Sequence, residues 1–98
     1  DNIIILKSFL YKIKRLKIIK EKMEEKKNLD SVISAYRPPI FWKDKDIIKQ
    51  QIKKYSLREL NYLISQINEL EILIKKNYQL SNLIVHNFIL ENLITVNN

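Results

Sequence analysis

Four lysines near the middle of the chain are the residues best placed to bind a ligand. Lys45, Lys49 and Lys53 recur at intervals of four, and Lys54 follows directly. On a helix this spacing sets the ammonium groups one above another, where they could contact successive phosphates of a nucleic acid. A solvent-exposed face of an amphipathic helix has the same pattern and is the commoner cause of it. Nucleic-acid binding is therefore kept as the alternative function.

Catalytic chemistry has little support elsewhere in the chain. There is no cysteine and no glycine, which excludes disulfides, thiolate metal sites, cysteine nucleophiles and glycine-rich phosphate loops. His86 is the sole histidine, and in an apolar run such a residue is far more often structural or exposed than a catalytic base. The acidic residues lie beside lysines and form no dyad. We predict no catalytic residue, no cofactor and no metal site, so this domain is not expected to be an enzyme.

The composition indicates one small helical domain over residues 1–98. Eighteen basic and eleven acidic residues give a net charge of +7. Sheet proteins use glycine in their turns, so a chain with no glycine and two prolines favours an all-α fold, here of about five helices. The longest apolar run, residues 3–6, is far shorter than the ~18 residues of a membrane span, and we expect a cytoplasmic protein. Because the first residue is Asp1 and no initiator Met is present, we also expect a piece of a longer chain.

A proline pair divides the helical pattern into two parts. Pro38 and Pro39 lack the backbone N–H that a helix needs, and each also disfavours helical geometry in the residue before it, beginning with Arg37. Phe41 and Trp42, the largest adjacent apolar pair, come directly after this corner. We predict that the corner joins an N-terminal helical pair to three further helices, and that Trp42 is substantially buried.

The apolar periodicity predicts five helices, in chain order: at about residues 3–27, at 29–36, from 42 or 43 to 54, at 57–76, and from 80 or 81 to 94. Asn28 can cap the second helix. The fourth has the clearest start, because Ser56 and Glu59 form a capping box, with Tyr55 and Leu60 as the accompanying hydrophobic staple. Asn77 is expected to end this helix in the left-handed conformation.

The fifth helix is apolar around most of its circumference, which indicates burial on several sides. In so small a domain, part of that surface is expected to meet another chain. The residues that lie off the internal seams of the fourth and fifth helices are the candidate subunit contacts: Ile72, Leu73, Val85 and Ile89.

Three short blocks, in this order and spacing, resemble the C-terminal helical domain of the bacterial DNA polymerase III delta subunit. They are Pro38–Lys43, then Tyr55–Leu57 with Leu60, then Glu71–Lys75, which matches a Glu-x-x-x-Lys pattern. The resemblance runs from about Leu6 to Leu93. Tyr55 lies where relatives often have tryptophan, and Asn77 lies near a common glycine. The residues taken as the structural motif of the family are Arg37, Pro38, Pro39, Phe41, Trp42, Ser56, Glu59, Glu71 and Lys75.

The resemblance implies a part of the clamp loader, the machine that places the sliding clamp on primed DNA during DNA replication. Its delta subunit belongs to the DNA polymerase III holoenzyme, a nucleotidyltransferase. The helical domain itself would perform no chemistry. It would join the gamma/tau and delta-prime subunits in a collar, while N-terminal AAA+-like domains contact the sliding clamp and DNA. No membrane is implied.

Overall fold

The longest helix, α1 (Asn2–Lys26), supplies the surface against which the other helices pack. The computed structural model describes residues 2–26, 28–77, 79 and 81–97. Five apolar residues of α1 lie three or four positions apart, along one stripe, and all are buried: Leu6, Phe9, Ile13, Leu16 and Ile19. The other four α helices all contact α1, so this stripe lies at the centre of the core. Residues 27 and 80, at predicted helix ends, lie outside the described residues.

Helix α2 (Leu29–Ala35) begins and ends through local chemistry. The side-chain oxygen of Asn28 accepts a hydrogen bond from the backbone N–H of Ser31 at 3.2 Å, which confirms the predicted cap. Val32 and Ile33 are buried. The helix stops before the proline pair, and the Arg37–Pro38 peptide bond is cis. Just before the corner, the Arg37 guanidinium donates to the carbonyl oxygen of Tyr36 at 2.9 Å.

Ile40, and not Trp42, fixes the proline corner to the core. Ile40 is buried, whereas Phe41 is exposed and Trp42 is 69% exposed. The predicted burial of Trp42 is therefore wrong. Successive residues of extended backbone point to opposite sides, so burial of Ile40 turns Phe41 outward. A 3₁₀ turn (Trp42–Asp44) follows. The two rings pack on each other with centroids 5.8 Å apart, and the Lys43 ammonium lies 5.4 Å from the Trp42 ring centroid.

Helix α3 (Lys45–Lys54) packs through Ile48 and Ile52, with Tyr55 buried directly after it. These three residues form the buried edge of this segment. The ammonium of Lys20, on α1, donates to the carbonyl oxygen of Ile52 at 2.6 Å. That carbonyl lies in the last turn of α3, where a cation is favoured by the helix dipole.

Helix α4 (Leu57–Lys76) begins with the predicted capping box. Glu59 N–H donates to Ser56 Oγ and Ser56 N–H donates to Glu59 Oε1, both at 3.1 Å. The predicted left-handed cap at the other end is wrong, since Asn77 has φ −127°. Asn77 instead directs both its backbone N–H and its side-chain amide to the carbonyl oxygen of Leu73, at 2.9 and 3.1 Å. Both bonds end on the one carbonyl oxygen of Leu73, and neither requires a positive φ.

Helix α5 (Ser81–Asn97) completes an all-α fold. Across the described residues there are five α helices and one 3₁₀ turn, and no strand. Val85 and Phe88 turn into the core, and the Phe88 ring meets Phe9 of α1 edge to face, with centroids 5.9 Å apart. At the start of the helix, the Asn2 amide donates to Ser81 Oγ at 3.2 Å. Both contacts fix α5 against α1.

The capping box gives a stability prediction. Ser56→Ala removes the side-chain oxygen that accepts from Glu59 N–H, and we expect it to lower the free energy of unfolding by about 1 kcal/mol. Chemical denaturation followed by circular dichroism measures this difference. Ser65→Ala is the matched control, because Ser65 is exposed within α4 and away from the cap. Equal stability of Ser56→Ala and the native chain would contradict the capping role.

Candidate functional site

Helix α5 has apolar side chains on opposite faces. Val85 and Phe88 are buried, whereas Leu83 is 62% and Leu90 is 55% exposed. Leu83 and Leu90 are seven residues apart, close to two helical turns, so both lie on the outward face of α5. A helix with one face in the core and leucines on the other presents an apolar surface that this chain leaves uncovered.

A cleft lies between the start of α1 and α5, beside the outward face. It has a volume of about 520 Å³. The described residues that line it include no lysine, arginine, aspartate or glutamate: Asn2, Ile5, Asn82, Leu83, Val85, His86 and Ile89. Ile4 and Ile5 are exposed next to it. In a chain whose residues are 30% charged, this cleft therefore differs from most of the surface.

A second, smaller groove runs between α4 and α5. It encloses about 240 Å³ and is lined by Gln66, Glu69, Leu70, Leu73 and Phe88. Leu73 and the neighbouring Ile72 are both exposed on α4. The exposed apolar residues beside these two clefts therefore lie on α1, α4 and α5.

The four predicted subunit contacts differ in their exposure to solvent. Ile72 and Leu73 are exposed, as expected of residues off the internal seam, and Ile89 is partly buried. The outward placement of Val85 is wrong, because Val85 is 2% exposed and shares the inward face with Phe88. The residues that sequence reasoning missed are Leu83 and Leu90. Their seven-residue spacing was the available signal, but a helix that is apolar nearly all round has no periodicity to identify its inward face.

The lysine ridge, formed by Lys45, Lys49, Lys53 and Lys54, is only partly available to bind a nucleic acid. Lys49 forms an ion pair with Asp30 of α2 at 2.7 Å, and Lys45 is partly buried. The hydrogen bond between them, and then their charge attraction, lowers the pKa of the Asp30 carboxyl and raises the pKa of the Lys49 ammonium. Lys53 and Lys54 are exposed. Thus one of the three stacked ammonium groups is already neutralised by a neighbouring helix.

The third block of the resemblance has a structural partner in this fold. Glu71 lies 3.7 Å from the ammonium of Lys7, so the pair links α4 to α1. Lys75 is exposed in the last turn of α4, where a positive charge is favoured. The contacts described for Glu71 and Lys75 are thus those of structural residues.

A further cleft, with charged residues in its lining, is at the start of α4 and has a volume of about 520 Å³. Its described lining is Lys54, Tyr55, Arg58, Glu59, Tyr62, Leu63, Gln66 and Asn92. The Tyr55 hydroxyl is buried and finds no hydrogen-bond partner among the described residues. The Glu59 carboxylate is occupied by the helix cap. This lining contains no nucleophile beside a base, which is the geometry that covalent or acid–base catalysis requires.

Two further properties limit the possible sites. Within the described part of the chain, no three histidine, cysteine, aspartate or glutamate side chains are grouped so as to hold a metal ion. None of the described helices is both long and apolar enough to cross a membrane.

Comparison with known proteins gives no relative. No family model matches the chain, and neither a curated protein nor a solved structure matches it.

The exposure of Trp42 can be checked directly, because it is the only tryptophan. We expect acrylamide to quench its fluorescence about as efficiently in the folded chain as in urea, since the ring is already in contact with water. The emission maximum should move little on unfolding. A large red shift on unfolding would contradict the exposed position.

A salt titration tests the lysine ridge. We expect weak binding of a labelled single-stranded oligonucleotide at low salt, with an association constant that falls linearly in log–log form as salt rises. Asp30→Asn releases Lys49, so it should strengthen binding and add about one phosphate contact to the slope. Fluorescence anisotropy measures both. No binding at low salt by either form would remove the nucleic-acid hypothesis.

Proposed function

We propose that this chain is a non-catalytic assembly domain that holds a larger complex together through the outward apolar surfaces of α4 and α5. The observation that carries the proposal is the presence of Leu73, Leu83 and Leu90 on the exposed sides of helices whose other faces form the core. Apolar groups grouped on a surface in this way are typical of protein contacts. Burial of these side chains against a neighbouring chain would supply the driving force.

We further propose that the complex is a bacterial clamp loader and that the chain is the collar domain of its delta subunit. Support comes from several of the motif residues, whose roles in this fold are architectural. Ser56 and Glu59 cap α4, Glu71 links α4 to α1, and the prolines end α2. A domain whose task is to hold other domains in place needs such residues and no reactive ones.

In this proposal the neighbours of the domain are the gamma/tau and delta-prime collars, and the compartment is the cytoplasm. The domain would bring no catalytic group of its own. Its contribution to clamp loading would be geometric, since a ring of collars fixes where the N-terminal domains of each subunit meet the sliding clamp and DNA. A specific contact of this kind buries more than ~1,000 Å² in total. The exposed apolar residues of α4 and α5 would form its centre.

Assembly can be measured by mixing the chain with the gamma/tau and delta-prime collar domains of the same species. We expect light scattering after size exclusion to show a species larger than any single component. Leu73→Glu should weaken assembly by about tenfold or more, because it places an unpaired charge in an apolar contact.

Ile47→Glu is the matched control for Leu73→Glu. Ile47 is 45% exposed and Leu73 is 43% exposed, but Ile47 lies on α3, away from the proposed contact. The control should assemble like the native chain. If every mixture of the native chain leaves all components monomeric, assembly by this domain is wrong.

A further inference from the structure

The outward face of α5 carries two leucines with two polar residues midway between them. Leu83 and Leu90 are equally far from the point midway between His86 and Asn87. Both leucines project away from the core, and His86 and Asn87 are exposed between them. When two such helices lie antiparallel about a two-fold axis through that point, Leu83 of each meets Leu90 of the other. His86 then meets Asn87 of the second copy.

We propose that two copies of this chain associate through this face, with their α5 helices packed antiparallel. A two-fold interface must be complementary to itself, so that residue i contacts residue j and residue j contacts residue i. The two leucines satisfy this condition with one apolar pair on each side of the axis. This self-association goes beyond the proposed subunit assembly, because it needs no other chain.

The distribution of charge selects the same face. The molecule carries a net charge of +7, and two copies therefore repel each other over most approaches. Lys76 is the last basic residue apart from His86, so α5 has no lysine or arginine. Between residues 81 and 92 the only acidic residue is Glu91, which the two-fold axis places opposite Asn82. Two copies can thus meet at α5 without bringing like charges together.

The cleft between α1 and α5 extends the contact beyond the leucine pairs. Ile5 lines this cleft together with Leu83 and His86, and Ile4 and Ile5 are both exposed. In the antiparallel pair, Leu90 of the second copy lies against Leu83, next to the mouth of the cleft. A contact made by one helix and this rim lies at the small end of specific interfaces, below ~1,200 Å² in total. The dimer is therefore weak, and it dissociates on dilution.

Sedimentation equilibrium of the chain alone, over a series of concentrations at neutral pH, tests the proposal. The average mass should rise from 11.8 kDa toward twice that value as concentration increases. Leu83→Glu and Leu90→Lys should each remain monomeric at concentrations where the native chain dimerises. Ile72→Glu is the matched control, because Ile72 is 56% exposed, like Leu90 at 55%, but lies on α4. It should dimerise normally.

Mixing the two α5 variants tests the orientation. In an antiparallel pair, Glu replacing Leu83 on one copy meets Lys replacing Leu90 on the other, while the unchanged Leu90 and Leu83 meet across the axis. The mixture should therefore regain a dimer that neither variant forms alone. A parallel pair would place each substituted position opposite the same position of the second copy, and no rescue would occur. Circular dichroism checks that both variants keep the native helix content.

Each outcome decides the proposal. It is overturned if the native chain stays monomeric at every concentration, if Leu83→Glu dimerises like the native chain, or if the mixed variants stay monomeric. These results are separable from subunit assembly, which is tested by Leu73→Glu on α4 and requires other chains. A chain that fails to dimerise and still joins the other collars overturns only the self-association.

Discussion

Burial of the α1 stripe is the interaction on which the rest of the structure depends. The residues from Leu6 to Ile19 lie at the centre of a domain in which each other α helix contacts α1. Polar groups on the flanks of this helix then fix individual neighbours: Asn2 binds the start of α5, Lys7 pairs with α4, and Lys20 binds the end of α3. The apolar stripe drives the packing, whereas the polar contacts specify how each helix sits on it.

Charge is divided along the chain in a way that matches this arrangement. All lysines and arginines lie in the first 76 residues, and they surround the helices that build the core. Some of them are used internally, as the pairs of Lys49 with Asp30 and of Lys7 with Glu71 illustrate. The last helix carries no lysine or arginine and keeps exposed leucines. The charged residues therefore keep the first four helices well hydrated, whereas another protein could contact α5 without repulsion from lysine or arginine side chains.

Sequence reasoning succeeded where the determining interactions are local. The Ser56–Glu59 capping box and the Asn28 cap involve groups three residues apart, and the stripe of α1 follows from helical periodicity. The failures at Trp42 and Val85 have a different cause. Each concerns which of several neighbouring apolar residues faces inward, and that choice depends on how the segment is rotated against α1.

The candidate surface was predictable only in outline for the same reason. Apolar residues all round α5 indicated an uncovered side without identifying it, so Leu83 and Leu90 were missed while Val85 was chosen. Helix α4 ends at Asn77 in a different way from the one predicted, because the backbone N–H and the side-chain amide of Asn77 both donate to the carbonyl oxygen of Leu73. Where several residues could occupy the same buried position or end the same helix, the sequence alone does not show which of them does so.

The two-faced character of α5 also poses a problem of folding specificity. A half-turn rotation of this helix would bury Leu83 and Leu90 and expose Val85 and Phe88, exchanging one apolar set for another of similar hydrophobicity. General burial of apolar surface therefore discriminates poorly between the two orientations. Contacts with a defined geometry favour the observed orientation, among them the edge-to-face packing of Phe88 on Phe9 and the hydrogen bond from Asn2 to Ser81. Such contacts help to decide which face of α5 the domain offers to its surroundings.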